Sequence, residues 1–534
     1  MIRKAVLLIL TFLIITTVIY TQEIEDESHI VYYIRAITFE IIGRTREFAL
    51  LHILDLKEGQ RIVGKATLDA LISRKTQDLI NERVLKDEEC RITYTVGVAG
   101  EDGLVPVDLL VHTEDSWNIA VLPQPRWSND GFRIVMKARD YNFLGTMQPL
   151  RVDLGYEYDS KDKVHAVLSA IETDIPFPFL GLLWNFNFDN TFNWIQFRPI
   201  ASKDSIDSVF NYKNTTGLNL ELPWKQTTFT VGFDQFFILN EENSDEEKEE
   251  TLVDYFDMYM STELYAKWAV PLGVMVGTFG ELTYNASLSE NFKYAPWRDI
   301  GVGDYRKGFL TTFSHRLEFG EVDWIGNFRR GLNVSLDNSV SFNTYDKDTR
   351  RYGGGKEHWS VSVSPTVTGY FHPLHFLGIY GRFSSPHIFN FSKSDVRFWG
   401  TDAGALLRGV PPDHKLHADH MLVFNLDFPL GIPRFTPSRW VKKGNKYFKP
   451  IDVEFHVSPF VDMALLRGDE EFKDEYKKVN FGDFFATIGI EVFAYSLSWR
   501  SLFLRGNIGW DLREWHRTGK IPGPEFFFGM ELFF

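Results

Sequence analysis

The longest pattern in this chain is an alternation of apolar and polar residues that runs from residue 126 to residue 534. In residues 150–159, an apolar or aromatic side chain stands at every even position, and Arg151, Asp153 and Glu157 stand at odd positions. Successive side chains of a β-strand point to opposite faces, so each such segment has an apolar face and a polar face. Repeated along the chain, this predicts a membrane β-barrel with lipid outside and a wet lumen inside. A two-sided soluble sheet alternates similarly, but it does not usually carry large aromatic residues at so many outer positions.

The number of strands follows from these segments and from the positions of the chain ends. Sixteen or seventeen candidate strands lie between Phe132 and Phe534. A separate domain precedes the barrel, and the last strand is expected to end on the side of that domain, which requires an even number. We therefore predict about sixteen antiparallel strands over residues 126–534.

A different pattern precedes the barrel. Residues 31–116 predict one small α+β domain with the order strand, helix, helix, strand, strand. Thr45 is the candidate N-cap of the first helix. The last strand, from Val105 to Val111, is expected to form a sheet edge to which an extended peptide can add.

The N-terminus has the features of an export signal. Arg3 and Lys4 precede an apolar stretch over residues 5–20, and we assign residues 1–22 to a signal peptide. Residues 20–22 lack the small side chains of a typical cleavage site, so a retained anchor helix is the alternative. In either case the chain is expected to leave the cytoplasm.

Composition narrows the class of protein further. Aromatic residues make up 15% of the 534 residues, yet 24% of the residues are charged and the mean hydropathy is −0.18. This combination suits a barrel with aromatic girdles and a hydrated interior, and it does not suit a helical membrane protein. The net charge of −15 argues against nucleic acid as a partner. Cys90 is the only cysteine, which excludes an intrachain disulfide and a multi-cysteine zinc site.

Catalytic and cofactor-binding motifs do not stand out in the sequence. It has no Gly-rich phosphate-binding signature, and no nucleophile can be paired with a base. His414, His417 and His420 have a spacing that can bind a metal on a helix, but they lie in a loop that enters a strand. We therefore expect no enzymatic activity, no cofactor and no metal.

Three segments carry more specific motifs. Residues 131–145 combine a Gly-started strand with an Asn-Phe-Leu-Gly turn. In a long loop, Leu407 and Val410 flank the pair Arg408-Gly409, and a later strand carries Asp462. The chain ends with spaced glycine and apolar residues, namely Gly529, Leu532 and Phe534.

Together these motifs resemble the BamA-type outer-membrane assembly factor superfamily, the bacterial surface antigen family, which joins POTRA domains to a 16-stranded barrel. The resemblance implies one POTRA-like domain at 31–116 and a loop at 387–417 that folds into the barrel. It also implies that Arg408 pairs with Asp462 in the lumen, where two charge-assisted hydrogen bonds fix a loop tip that has no hydrophobic core around it. The family often has Glu where Asn425 stands, so one acidic partner is missing.

The resemblance also implies a function. The protein is expected to insert β-barrel proteins into the outer membrane by opening a seam between its first strand, near 132–141, and its last, near 525–534. The implied partners are unfolded outer-membrane protein clients, periplasmic chaperones, accessory lipoproteins and outer-membrane lipid, with the soluble domain in the periplasm. A polypeptide secretion translocator of the same superfamily is the nearest alternative. A plain porin would need no tethered loop, and a membrane-embedded hydrolase would need a nucleophile and a base on one outer face.

Overall fold

The structure is a computed structural model, and it describes the chain from residue 30 to residue 529 with internal gaps. The predicted signal peptide, 1–22, and two of the terminal motif residues, Leu532 and Phe534, lie outside the described residues. The internal gaps are residues 102, 129–130, 161–162, 198–205, 225–226, 240–257, 278, 295–307, 345–357, 391–400, 403–405, 411–416, 419, 440–451, 468–482, 498, 502, 514, 516–518 and 522.

The N-terminal unit is a four-stranded sheet packed against two helices, with the elements β1 (Val31–Ile42), α1 (Glu47–Leu54), β2 (Arg61–Val63), α2 (Lys65–Asn81), β3 (Arg91–Val96) and β4 (Leu104–Glu114). The sheet order is β2-β1-β4-β3, and β1 runs parallel to β4. Leu68 and Leu79 recur at helical spacing on α2 and are fully buried against Val107 of β4 and its neighbours. These apolar residues form the core of this N-terminal domain, which corresponds to the domain predicted at 31–116.

The strand proposed for peptide addition lies in the middle of its sheet and not at an edge. Val105–Val111 belongs to β4, which pairs with β1 on one side and with β3 on the other. The prediction of a free edge there is wrong, because the alternating pattern identifies a strand but not its neighbours. Within the described sheet, β3 is the outer strand beside β4 and pairs on that side only.

The remaining chain forms one closed antiparallel barrel, built from β5 (Ile119–Ser128), β6 (Gly131–Asp140), β7 (Leu150–Asp159), β8 (Val164–Phe179), β9 (Leu182–Phe197), β10 (Asp207–Trp224), β11 (Thr227–Leu239), β12 (Met258–Met275), β13 (Glu281–Tyr294), β14 (Phe309–Ile325), β15 (Phe328–Asn343), β16 (His358–Leu374), β17 (Leu377–Ser384), β18 (His387–Asn390), β21 (His420–Asp427), β22 (Leu430–Gly431), β23 (Val453–Arg467), β24 (Asp483–Ser496), β25 (Phe503–Asp511) and β26 (Glu525–Gly529). Two short strands, β19 (Thr401–Asp402) and β20 (His417–Ala418), pair with each other in the loop between β18 and β21.

The barrel has more strands than predicted. β17 with β18, and β21 with β22, are single interrupted strands, so the described residues contain eighteen barrel strands and not sixteen. From β6 onward there are seventeen, and the even total arises because β5 precedes them. Pro123 and Pro125 lie within β5. Because proline is typical of turns and strand edges, this segment was not predicted as a strand. The barrel therefore begins at Ile119 and not at 126, and β5, not the predicted strand near 132–141, is the neighbour of β26. The wall continues to Asn390, into the segment predicted as loop 387–417.

The predicted alternation is confirmed for the described barrel strands. Leu154, Trp224 and Phe313 lie on the outer face and are 56%, 64% and 44% exposed. On β14 and β15 the opposite face is polar, and Arg316 lies across from Asp337. An apolar outside around a polar inside is the surface of a membrane-spanning barrel. Among the described residues, no helix is both long and apolar enough to span a membrane.

The Asn-Phe-Leu-Gly turn after β6 joins the barrel to the N-terminal domain. Asn142 is buried and donates a hydrogen bond to Thr45 Oγ1 at 2.7 Å. Thr45 therefore serves this joint and does not cap α1, whose N-cap position is Arg46. Gly145 has φ +77°, and a Cβ there would lie 2.0 Å from the carbonyl oxygen of Arg44, so the close approach requires glycine.

Candidate functional site

The described part of the long loop contains a segment that lies inside the barrel. We call residues 406–410 the loop tip. Leu407, Arg408 and Gly409 are all buried in it. Leu407 packs in an apolar cluster with lumen-facing residues of the wall, namely Met421, Val423, Ala464, Leu466 and Phe485. The expectation of a loop tip without hydrophobic support is therefore wrong, because several inward positions of β21, β23 and β24 are apolar.

Arg408 is held by carboxylates from three different strands. Its Nη2 and Nε donate to Asp462 at 2.7 and 3.0 Å, which is a forked contact. Its Nη1 donates to Asp427 at 2.6 Å and to Glu491 at 3.0 Å. The backbone N–H of Arg408 also donates to Asp462 at 2.9 Å. We call these four residues the arginine clasp.

The arginine clasp is almost completely removed from solvent. The side chains of Arg408, Asp462 and Glu491 are 2%, 0% and 1% exposed. The guanidinium also lies over the ring of Phe460, with its carbon 3.9 Å from the ring centroid. Arg505 contacts Glu491 at 2.9 Å and supplies a second cation to the cluster. Buried charges of this kind fix a geometry more than they add stability, because desolvation offsets much of their attraction.

Glycines on the wall make room for the loop tip. Gly409 has φ +77°, and a Cβ on it would lie 2.9 Å from the backbone of Gly509. A Cβ at Gly489 would lie 2.4 Å from the Phe460 ring, so this position also needs glycine. The tip therefore touches wall backbone directly, and Val410 at its end is half-buried beside the apolar cluster.

The structure brings together most of the residues predicted from the loop motif. Arg408 lies against Asp462, with Leu407 and Gly409 packed on the same wall. Gly529 is not in contact with the loop tip, but it lies on β26 opposite Arg505, the second cation of the cluster. Two members of the arginine clasp, Asp427 and Glu491, were not predicted from the sequence.

Each missed carboxylate had a signal in the sequence. Asp427 stands two residues after Asn425 and so shares its lumen-facing side. Glu491 is a single charge within the apolar segment 488–492, where a strand has no other reason to carry one. Asn425 does not act as a carboxylate substitute: it donates to the Leu406 carbonyl at 2.9 Å and accepts from Arg382 at 3.0 Å. It thus holds the loop backbone, not the guanidinium.

Of the three histidines considered as metal ligands, His420 has a side chain that the structure describes. His414 lies outside the described residues, and His420 lies beside His387, with 3.3 Å between their Nδ1 atoms. Across the described ranges, no group of His, Cys, Asp and Glu side chains is arranged to hold a metal ion.

No protein-family model matches the sequence, and no curated protein matches it. Among solved structures, CdiB from Acinetobacter baumannii is similar at 11% identity over 90% of this chain and 70% of that chain, with a TM-score of 0.44. BamA from Haemophilus ducreyi lacking POTRA domains 1–3 gives 13% identity, coverage of 93% and 84%, and a TM-score of 0.35. The siderophore receptor PirA from Acinetobacter baumannii gives 11% identity, coverage of 80% and 67%, and a TM-score of 0.33. Similarity at these TM-scores supports no conclusion about activity.

Proposed function

We propose that this protein inserts β-barrel proteins into the outer membrane, with its soluble domain in the periplasm. The barrel would open between β26 and β5 and offer their backbone groups to an incoming strand. Such strand addition needs no covalent chemistry and no cofactor. The clients would be unfolded outer-membrane proteins, delivered by periplasmic chaperones and assisted by accessory lipoproteins.

The composition of β5 is the observation that carries this proposal. β5 and β26 are neighbours where the barrel closes, and the side chain of Gln124 donates to the Phe528 carbonyl across this seam. Proline has no backbone N–H, so Pro123 and Pro125 remove two donors from one strand of the seam. A strand that lacks two N–H donors makes fewer backbone hydrogen bonds to its neighbour than the other strands do. A barrel would therefore open first at this strand.

The arginine clasp supports the same proposal. Opening a seam would let a loop inside the lumen drift, and the forked contact to Asp462 holds the loop tip against β23 while β26 moves. The tip also touches β25 through Gly509, the strand next to β26. A client strand would first meet the soluble domain, and it could add to β3 (Arg91–Val96), which is the longer of the two outer strands in the described sheet.

Locking the seam tests this function. In a Cys90→Ser background, Gln124→Cys and Gly529→Cys place two thiols on the lumen side of the seam. Gln124 contacts the carbonyl of Phe528, the residue next to Gly529, so the two positions are close enough to be joined. The full-length protein is reconstituted in phosphatidylethanolamine–phosphatidylglycerol vesicles with a urea-unfolded eight-stranded barrel as client. The folded client is measured by its heat-modifiable mobility in gels.

We expect the oxidised, locked protein to lose its acceleration of client folding and the reductant to restore it. The single-cysteine variants, treated with the same oxidant, are the controls. Full acceleration by the locked protein would overturn seam opening. Transport of a long soluble polypeptide into the vesicles, without acceleration of client folding, would instead establish the secretion translocator. A large conductance that is open in wild type and unchanged in Arg408→Ala would establish a porin.

A further inference from the structure

The hairpin that joins β14 to β15 leaves the barrel wall. Residues 321–330, which we call the flap, pair only with each other: β14 pairs with β13 as far as Glu318, and β15 pairs with β16 as far as Gly331. Beyond these points, the two strands continue as a separate two-stranded hairpin that ends in a turn at Gly326 and Asn327.

Two glycines lie where the flap departs from the wall. Gly320 has φ +111° and Gly331 has φ +135°, and both conformations are ones that L side chains rarely adopt. A Cβ at Gly320 would lie 2.0 Å from the Leu332 carbonyl oxygen, and a Cβ at Gly331 would lie 2.0 Å from that of Glu321. The bend therefore requires glycine on both strands, at positions that are two residues apart in the pairing of β14 with β15. Two such glycines on opposite strands can act as a hinge across the hairpin.

The flap folds under the lumen at the end of the barrel that faces the soluble domain. Its Phe328 is stacked between His372 and His456, with centroid distances of 4.4 and 4.3 Å. Its Trp324 packs edge-on against Tyr495 of β24 at 6.3 Å. β24 is not a neighbour of β14 in the barrel, since the strands from β15 to β18 and from β21 to β23 lie between them.

The flap and the arginine clasp enclose one small cavity. Its walls include Trp324 and Arg329 of the flap and Asp427 and Glu491 of the clasp, and its volume is about 30 Å³. Ser458 also lines this cavity and is fully buried. The flap thus forms a floor directly beneath the pinned loop tip.

The soluble domain holds the flap in place through the end of helix α2. Arg83 is buried, has φ +58°, and lies over the Trp324 ring at 4.2 Å. It donates to Asn327 at 3.2 Å and, across the lumen, to the Arg500 carbonyl in the β24–β25 turn at 2.8 Å. One side chain of the domain therefore fastens the flap to the opposite rim of the barrel.

Helix α2 makes further polar contacts with the flap. Arg74 contacts Glu321 at 2.7 Å and Asp323 at 2.9 Å. Asn81 donates to Asp323 at 3.0 Å and accepts from the Trp324 backbone N–H at 2.9 Å. These contacts depend on the position of the soluble domain, so movement of the domain would release the flap.

We propose that the flap is a hinged gate, which closes the domain-side end of the lumen beneath the arginine clasp and is latched by Arg83 of the soluble domain. Binding or displacement at the soluble domain is then transmitted to the lumen through one hairpin. This device is independent of whether the barrel inserts or secretes its polypeptide.

Thiol accessibility in the reconstituted full-length protein tests the gate. Ser458→Cys, in a Cys90→Ser background, places a small probe in the cavity above the flap. A membrane-impermeant methanethiosulfonate reagent is added on the side of the soluble domain, and the labelling rate is measured. The latch makes the open state a minor population, so removing it in Arg83→Ala should raise the labelling rate by about tenfold or more. Gly331→Ala, which opposes the hinge conformation, should raise it as well.

Gly369→Ala is the matched control, because this β16 glycine has no atom closer than 3.8 Å to an added Cβ. Its labelling rate should equal that of the parent. Each variant is first shown to retain a folded barrel by its mobility in unheated gels. An unchanged labelling rate in folded Arg83→Ala overturns the latch, and an unchanged rate in folded Gly331→Ala overturns the hinge.

Discussion

Replacing Arg408 with alanine tests how the loop tip is held. The guanidinium donates four hydrogen bonds to three buried carboxylates, at distances from 2.6 to 3.0 Å. The substitution leaves these carboxylates buried with fewer cations, and removal of one partner from a buried ion pair costs about 3–5 kcal/mol. Because about 1.4 kcal/mol corresponds to tenfold in an equilibrium constant, the undocked population of the loop tip should rise by about 100-fold or more.

Amide hydrogen exchange measures this population. In the docked tip, the N–H of Arg408 donates to Asp462 at 2.9 Å, so exchange requires the tip to leave the wall. We expect the peptide covering 406–410 to exchange about 100-fold faster in vesicle-reconstituted Arg408→Ala than in wild type. Arg408→Lys should fall between the two, because an ammonium group keeps the charge but cannot make the forked contact.

Arg316→Ala is the matched control for this experiment. Arg316 is also a lumen-facing arginine with two carboxylate partners, Glu318 and Asp337, but its side chain is 42% exposed. Exposed ion pairs contribute about 0–1 kcal/mol, so exchange of 406–410 should not change. Wild-type exchange in Arg408→Ala, or an equal acceleration in both variants, would refute the assigned role of the buried guanidinium.

Three further outcomes are expected. Gly409→Ala should speed exchange of the loop tip, because its Cβ would lie 2.9 Å from β25 backbone, whereas Gly369→Ala should leave exchange unchanged; equal rates in both would contradict the close approach. Asp462→Asn should speed exchange more than Asp427→Asn, since Asp462 accepts three hydrogen bonds from Arg408 and Asp427 accepts one, and the reverse order would count against this geometry. Burial raises the pKa of the Cys90 thiol from 9.0 to about 12, so the unfolded chain loses this proton first and the domain loses stability as pH rises between these values. Urea unfolding near pH 8 and pH 10 should show this decrease in wild type and a smaller one in Cys90→Ser, and identical decreases would contradict it.

The barrel could be predicted from the sequence because its physical cause is local. A strand with lipid on one side and water on the other has apolar and polar residues at alternate positions, as in residues 150–159. β5 was not predicted because Pro123 and Pro125 interrupt this alternation. The central position of β4 in its sheet could not be predicted for another reason. Long-range pairing determines which strands are neighbours, and the sequence of a single strand does not contain this information.

The same distinction applies to the functional site. Arg408 and Asp462 could be paired from a motif resemblance, since each lies in a recognisable segment. Glu491 and Asp427 could not be assigned to the same guanidinium, because three strands had to be placed around one loop first. The flap could not be predicted from the sequence either. Gly320 and Gly331 look like ordinary strand glycines until the structure gives their φ angles and their positions in the pairing of β14 with β15.

Depletion of the protein, followed by a quantitative census of outer-membrane proteins, tests the proposed function most directly. Insertion of other barrels by this protein predicts that many unrelated β-barrel proteins decrease together, while lipoproteins and periplasmic proteins do not. Complementation with the wild-type chain should restore them, and the oxidised Gln124→Cys/Gly529→Cys chain should not. Unchanged barrel levels, with the loss of only one exported polypeptide, would contradict the account.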